Sequence, residues 1–205
     1  MALTIDKGKT AFLSMHFQND LVCEEGKFAA MGGPAHVKKT NCLENTRKVM
    51  EACRRLGVPV IHVQVGLTEF ERKLLAETPV APLFDGIAST GALSEGTWGA
   101  EIHEEVKPQQ GEFFVIGKGA NSFYANALGT VLAVGGIRTI VLSGFATNFV
   151  VESTARYACD LLYQVIILRD CCASFNEEMH SFALNNVLPN LAIISDSEEF
   201  IKAIG

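Results

Sequence analysis

The sequence predicts a three-layer α/β fold built on a doubly wound, mainly parallel sheet. Strand-length apolar runs recur along the chain, and helical patterns separate them. Most of the runs lack polar/apolar alternation, as expected of parallel strands that are covered on both faces. The 205 residues are enough for one domain, and we expect a single domain over residues 1–205.

Six runs rich in branched apolar residues predict the strands: Thr10–Phe17, Pro59–Gly66, Glu112–Lys118, Thr139–Ala146, Gln164–Asp170 and Leu191–Asp196. Between the first two, "NCLENTRKVMEACRRLG" has helical apolar spacing and ends at Gly57, a predicted C-cap. Later helical patterns are "NALGTVLAVGG", "NFVVESTARYACDLLY" and "NEEMHSFALNNVL". Residues 68–108 are irregular and predict a folded excursion near the functional site.

Composition and charge exclude several classes of function. Apolar residues make up 48% of the chain and the net charge is −6, so a nucleic-acid-binding face is not expected. The first ten residues lack a signal-peptide apolar core, and no apolar run reaches bilayer length; we therefore expect a cytoplasmic protein without membrane partners. The six cysteines form no CxxC pair and predict reduced thiols, most of them buried.

The carboxyl ends of the predicted strands define a candidate site, because ligands bind there in open α/β sheets. His16, Phe17 and Gln18 follow the first strand, Gln64 the second and Lys118 the third. After the fourth, a turn feeds into a helix and predicts an anion or oxyanion cradle of backbone N–H groups at Ala146, Thr147, Asn148, Phe149 and Val150. Taken singly, such a histidine is more often structural, and such a lysine is usually solvated.

Apolar and aromatic residues near these positions predict the wall of a pocket: Phe17, Trp98, Phe123, Tyr124, Phe149 and Val150. Asn126 is predicted to line the same space. Each aromatic residue alone is more typical of core packing. Together with His16 and Lys118, they predict a small-molecule ligand with an apolar body and a carboxylate or carbonyl group.

Five sequence blocks carry a resemblance to a known family: "FQND", "GTWGAEI", "VIGKGANSF", "GFATNFVVESTARYACDLLY" and "RDCCAS" followed by His180. In this order, from Thr10 to about Phe200, the chain resembles the isochorismatase-like (cysteine hydrolase) superfamily. The resemblance implies that family's fold, a homodimer or larger homo-oligomer, and a cis peptide before Thr147.

The same resemblance implies a degenerate catalytic triad. The amidohydrolases of the family use an Asp, a Lys and a Cys, and the corresponding positions here are His16, Lys118 and Val150. Valine cannot form a thioester, so the covalent route is closed at this position. The isochorismatases of the family keep the Asp, so this chain departs from both patterns.

Replacement of the Asp changes the expected electrostatics. His16 and Lys118 alone predict a site of positive charge, a mostly neutral His16, and a Lys118 that loses its proton more easily than free lysine does. Asp20 is expected to cap the turn or helix that follows it, with a minority role as general acid. We expect no cofactor and no metal. The nicotinamidases of the family carry an Asp-x-His metal-binding set after the second strand. Here that region has only His62, whose side chain is expected to alternate within the strand, and no acid–histidine pair follows it.

Two hypotheses follow. In the first, which we favour at this level, the protein is an enzyme that uses His16 and Lys118 for non-covalent acid–base chemistry on an anionic or carbonyl substrate. Hydrolysis, ring opening and elimination all fit. In the second, it is a catalytically inactive pseudoenzyme that acts as a ligand-binding or regulatory subunit.

Overall fold

A parallel six-stranded sheet forms the centre of the molecule in the computed structural model, which describes residues 3–205. Its strand order is β3-β2-β1-β4-β5-β6, and every neighbouring pair is parallel. The bounds are β1 Thr10–Met15, β2 Val60–Val65, β3 Phe113–Gly117, β4 Thr139–Phe145, β5 Gln164–Ala173 and β6 Ile193–Ser195. The predicted fold class and all six predicted strands are confirmed.

Successive residues of β1 enter two separate cores, one on each face of the sheet, because side chains alternate along a strand. Phe12 packs in the core formed with α2 (Gly33–Thr40), α3 (Cys42–Leu56) and α9 (Ser197–Ile204). Leu13 packs in the core formed with α6 (Leu128–Val134) and α7 (Glu152–Asp160). All of β1 and β4 is buried, which explains why neither shows polar alternation.

Helix boundaries follow local signals in the sequence. Helix α3 ends at Gly57, whose φ of 76° is left-handed, as the predicted C-cap requires. The pattern predicted as one helix from Asn148 to Tyr163 begins instead with a π-helical turn, Thr147–Val151, before α7. The remaining α-helices are α1 Asn19–Val22, α4 Glu69–Glu77, α5 Pro82–Thr90 and α8 Glu177–Phe182. None of the helices in residues 3–205 is long and apolar enough to cross a membrane.

Residues 69–90 form a helical hairpin, α4 and α5, inside the predicted excursion. The two helices pack chiefly on each other. Ile87 is the one fully buried residue of this hairpin in the structure. Helix α4 begins with a capping box in which Thr68 and Glu71 satisfy each other's backbone N–H groups. Leu83, Phe84 and Ile87 of α5 face the carboxyl edge of the sheet, whereas Phe70 and Leu74 of α4 are exposed.

Candidate ligand-binding site

A narrow apolar cavity of about 70 Å³ lies at the carboxyl edge of the sheet. His16 follows β1, Phe145 ends β4, and Val150 lies in the π-helical turn; all three line the cavity. Phe84 and Ile87 of α5 close the opposite side. His16 is the one titratable side chain among the described residues that line this space.

The His16 ring is buried, with 3% of the residue exposed. Its backbone has a φ of 56°, a left-handed conformation that histidine tolerates better than most side chains do. Nε2 is buried and has no hydrogen-bond partner among residues 3–205. Burial lowers the pKa of His16 to about 4, so the ring is neutral at pH 7. We predicted a neutral ring, but the cause is desolvation rather than a neighbouring cation.

Lys118 does not share this cavity. Its Nζ donates to Glu71 Oε2 at 2.8 Å, to Glu95 Oε1 at 2.9 Å and to the Gly66 carbonyl at 2.8 Å. It lines an adjoining cleft together with Glu71 and Tyr124. Burial alone would lower the pKa of Lys118, but the bonds to the two carboxylates outweigh burial and raise it. The prediction that Lys118 is easily deprotonated is wrong, and one ammonium with two carboxylates makes the cluster negative rather than positive.

Three N–H groups of the turn after β4 are hydrogen-bonded within the turn itself. The N–H groups of Phe149, Val150 and Val151 all donate to the Ala146 carbonyl, at 3.1, 2.8 and 3.2 Å. The amides of Phe149 and Val150, which we predicted to hold an oxyanion, are therefore already engaged. The cis peptide joins Phe145 to Ala146, one residue earlier than the resemblance implied.

The side chains of Thr147 and Asn148 do not line the cavity. They bond instead to residues at and after the end of β5 and in α8. The Thr147 hydroxyl donates to the Ala173 carbonyl at 3.0 Å and lies 2.8 Å from His180 Nδ1, which is placed to donate to it. Ser174 Oγ donates to Asn148 Oδ1. Burial, with a contribution from the nearby ring of His36, lowers the pKa of His180 to about 4. These two turn residues position the backbone that carries Val150.

The predicted contributions of Phe17, Gln18 and Gln64 are not found in the cavity. Phe17 is buried in the core on the α3 side of the sheet. Gln18 Nε2 donates to the carbonyls of Val65 and Ala100, each at 2.8 Å, and its Oε1 accepts from the Val65 N–H. Gln64 lines a different surface cleft. The polar atoms of Gln18 therefore satisfy backbone carbonyl and N–H groups where the loops meet, and they are not available to a ligand.

The other predicted wall residues also lie elsewhere. Trp98 is 49% exposed, and the ring of Phe123 packs on Tyr157 with centroids 5.4 Å apart. Tyr124 is exposed beside the Lys118 cleft. Asn126 accepts from the Leu128 N–H and donates to the Ser122 carbonyl, so it caps a local turn. Of the predicted aromatic wall, Phe149 lines the cavity, as does the aliphatic Val150.

Sequence reasoning missed most of the aromatic wall, which is formed by Phe28, Phe84, Phe145 and Phe175. Phe84 lies three residues before Ile87 on α5, a spacing that places both on one helix face. That spacing, inside the excursion expected near the site, is the signal that was available. Phe175 follows β5 at the same sheet edge and packs edge-on against Phe145, with centroids 5.0 Å apart.

No thiol among the described residues lines the cavity. Cys42, Cys53, Cys171 and Cys172 are buried, and burial raises the pKa of Cys42 and of Cys53 to about 12. Asp20 accepts from the N–H groups of Lys27 and Leu93, at 3.1 and 2.8 Å, and so joins two loops. In the part of the chain that the structure describes, no three His, Cys, Asp or Glu side chains are arranged to hold a metal.

A family model described as the isochorismatase domain matches residues 10–199. The chain belongs to the isochorismatase family. This confirms the resemblance read from the sequence blocks.

Curated proteins and solved structures resemble this isochorismatase-family chain over most of its length. It is 29% identical over 181 residues to the isochorismatase family protein YecD of Escherichia coli O157:H7, covering 88% of this chain and 92% of that protein. It is 26% identical over 215 residues to the ureidoacrylate amidohydrolase RutB of Acinetobacter baylyi, covering 98% and 86%. An isochorismatase-like hydrolase from Alkaliphilus metalliredigens superposes with a TM-score of 0.76 at 28% identity, covering 96% and 99%.

Proposed function

We propose that this chain uses a hydrolase fold to bind a small, neutral, flat molecule reversibly, without forming a covalent intermediate. The observation that carries the proposal is the His16 ring, which lines an otherwise apolar cavity and whose buried Nε2 has no hydrogen-bond partner among residues 3–205. A buried polar atom without a partner costs about 1–3 kcal/mol, which a ligand hydrogen bond relieves. The ligand therefore has an apolar body and one hydrogen-bonding group, such as a carbonyl or hydroxyl oxygen.

The cavity wall selects for a neutral ligand. Five phenylalanines surround the space: Phe28, Phe84, Phe145, Phe149 and Phe175. A carboxylate placed there would lose its hydration without gaining a counter-ion, because the Lys118 ammonium is bonded to two carboxylates in the adjoining cleft. The anionic ligand expected from the sequence depended on a free lysine beside His16. Aromatic edges and faces instead favour a flat, uncharged body.

Covalent hydrolysis lacks its chemical groups in this site. Val150 offers no nucleophile at the family's cysteine position. His16, with its pKa near 4, is a weak general base at pH 7, where a base with a pKa close to 7 works best. Lys118, whose pKa is raised, stays protonated and cannot serve as the base. These three positions support binding over acyl transfer.

Catalysis by His16 is the second candidate. A neutral imidazole can polarise a substrate carbonyl by donating a hydrogen bond. The position of the neutral His16 ring in the cavity wall favours this role as well as simple binding. The two functions differ in turnover: a catalyst converts its bound carbonyl compound, and a binder releases it unchanged.

Ligand titrations followed by ¹⁹F NMR test the proposal. We expect 4-fluoroacetophenone to bind at least about tenfold more tightly than 4-fluorobenzoate, because the carboxylate must be desolvated. His16→Asn, which suits a left-handed backbone but does not reach as far, should weaken ketone binding about fivefold, the worth of one neutral hydrogen bond. Fluorobenzene, which lacks the oxygen, is the matched control and should bind both proteins equally.

Two results would contradict this proposal. Equal affinity for the ketone and the benzoate would mean that a cation does face the cavity. Binding of none of the three probes would mean that the cavity is not a ligand site. Conversion of 4-fluorobenzamide to 4-fluorobenzoate, followed in the same spectra and lost in His16→Asn, would favour the catalytic candidate over reversible binding.

A further inference from the structure

We propose that Lys118 is a latch that fastens the helical hairpin of residues 69–90 over the cavity. The proposal rests on the proposed function, since it concerns access to that same cavity. At the family's lysine position, the ammonium would then have a structural role in this chain: it holds the hairpin in place and does not take part in catalysis. Opening of the lid then sets how fast a ligand enters and leaves.

The hairpin has the properties of a lid. Leu83, Phe84 and Ile87 of α5 line the cavity on the side away from the sheet. Ile87 is the one fully buried residue of the hairpin in the structure, and the two helices pack chiefly on each other. Leu75, Leu83 and Phe84 pack against the core but stay partly exposed, so this segment opens at a lower free energy than the fully buried strands β1 and β4 do. Opening the hairpin removes one wall of the cavity.

Lys118 joins this hairpin to the sheet edge. The ammonium, which directly follows β3, bonds Glu71 on the first helix at 2.8 Å and Glu95, beyond the second helix, at 2.9 Å. The Gly66 carbonyl, next to the end of β2, is its third acceptor. One side chain therefore ties both flanks of the hairpin to two adjacent strands. At the far end of α5, Lys27 Nζ adds a bond to the Gly91 carbonyl at 2.6 Å.

The capping box at the start of α4 orients the Glu71 carboxylate toward Lys118. Glu71 Oε2 accepts from the Thr68 N–H at 2.8 Å as well as from Lys118. The bond to Lys118 lowers the pKa of Glu71, so the carboxylate stays charged at neutral pH. The Lys118 side chain is 28% exposed, so the pair is open to screening by salt. High ionic strength should therefore loosen the lid.

Hydrogen–deuterium exchange of the hairpin amides tests the latch. Lys118→Met should accelerate exchange in residues 69–90 about fivefold and leave β1 and β4 unchanged. Glu71→Gln, whose amide oxygen can keep the helix cap, should have the same effect. The matched control is Lys73→Met, which removes the exposed Lys73–Glu69 pair (2.9 Å) of the same helix and should leave exchange unchanged.

Salt provides a second arm. One molar NaCl should accelerate hairpin exchange in the wild-type protein toward the Lys118→Met rate, and should change that variant little. Line shapes of 4-fluoroacetophenone should show faster binding and release in Lys118→Met. The latch is refuted when Lys118→Met matches Lys73→Met, or when exchange rises equally in β1 and β4. Exchange needs no ligand, so failure of probe binding would count against the proposed function and leave this test standing.

Discussion

Acidification from pH 7 to pH 4 is expected to lower the free energy of unfolding by about 3 kcal/mol through His16 alone. The ring has a pKa of about 4 in the folded protein and its ordinary 6.5 once unfolded. As the pH falls through 6.5, His16 takes up a proton in the unfolded chain but stays neutral in the folded chain. The stability is therefore complete above pH 6.5 and is lost as the pH falls toward 4.

Urea denaturation at pH 7, 6, 5 and 4 measures this effect, with His16→Asn as the non-titrating variant. We expect the variant to be less sensitive to acid than the wild type by about 3 kcal/mol over this range. His180, with a folded pKa also near 4, adds a loss of the same sign to both proteins, while His36, Glu177 and Lys39 face it. Parallel stability curves for the two proteins would show that His16 is already protonated or solvated in the native state.

Loss of the Glu112 carboxylate is expected to destabilise the protein by about 3 kcal/mol. Glu112 accepts from Arg54 Nε at 2.7 Å and Nη2 at 3.0 Å, and lies 2.9 Å from His62 Nε2. The side chain is 12% exposed. Burial alone would raise the pKa of Glu112, but the bonds from Arg54, from the Gln109 N–H (2.7 Å) and from His62 outweigh burial and lower it to about 2. Removal of the carboxylate leaves the Arg54 guanidinium and the buried His62 imidazole without this hydrogen-bond partner.

Glu112→Ala is measured by urea denaturation at pH 7 against a matched surface substitution. Glu104→Ala removes the partner of Lys107 from an exposed pair and should change stability by no more than about 0.5 kcal/mol. Equal effects of the two substitutions would show that the Arg54–Glu112–His62 cluster is solvated. The carboxylate titrates below the window assigned to His16, so the two predictions do not confound each other.

The sequence was sufficient for the sheet because each parallel strand is a local apolar run between turn residues. It also identified two residues that line the cavity: His16, which directly follows β1, and Val150, which lies in the turn after β4 and at the family's cysteine position. It failed for Lys118 because the deciding partners, Glu71 and Glu95, lie 47 and 23 residues away along the chain. A bare strand-end lysine has no local pattern that shows which carboxylates will reach it.

Two of the five N–H groups predicted to form an oxyanion cradle, those of Phe149 and Val150, are already bonded, for a related reason. An α-helical start after Ala146 would leave its first N–H groups free, and the pattern of residues 148–163 predicts such a helix. The observed π-helical turn directs three N–H groups to the Ala146 carbonyl. An α-helix would bond the Val150 N–H in the same way but would leave the Phe149 N–H free. Choice between the two depends on tertiary bonds from Thr147 and Asn148 to the end of β5 and to α8. The apolar spacing of the segment does not encode those bonds.

An NMR titration of the His16 ring carbon resonances, with and without 4-fluoroacetophenone, examines the pocket most directly. We predict a transition near pH 4 in the free protein and a clear shift of the His16 resonances when the ketone binds, with the Lys118 Nζ resonance unmoved. A transition near neutral pH, or a ketone that shifts Lys118 and leaves His16 unchanged, would contradict the account.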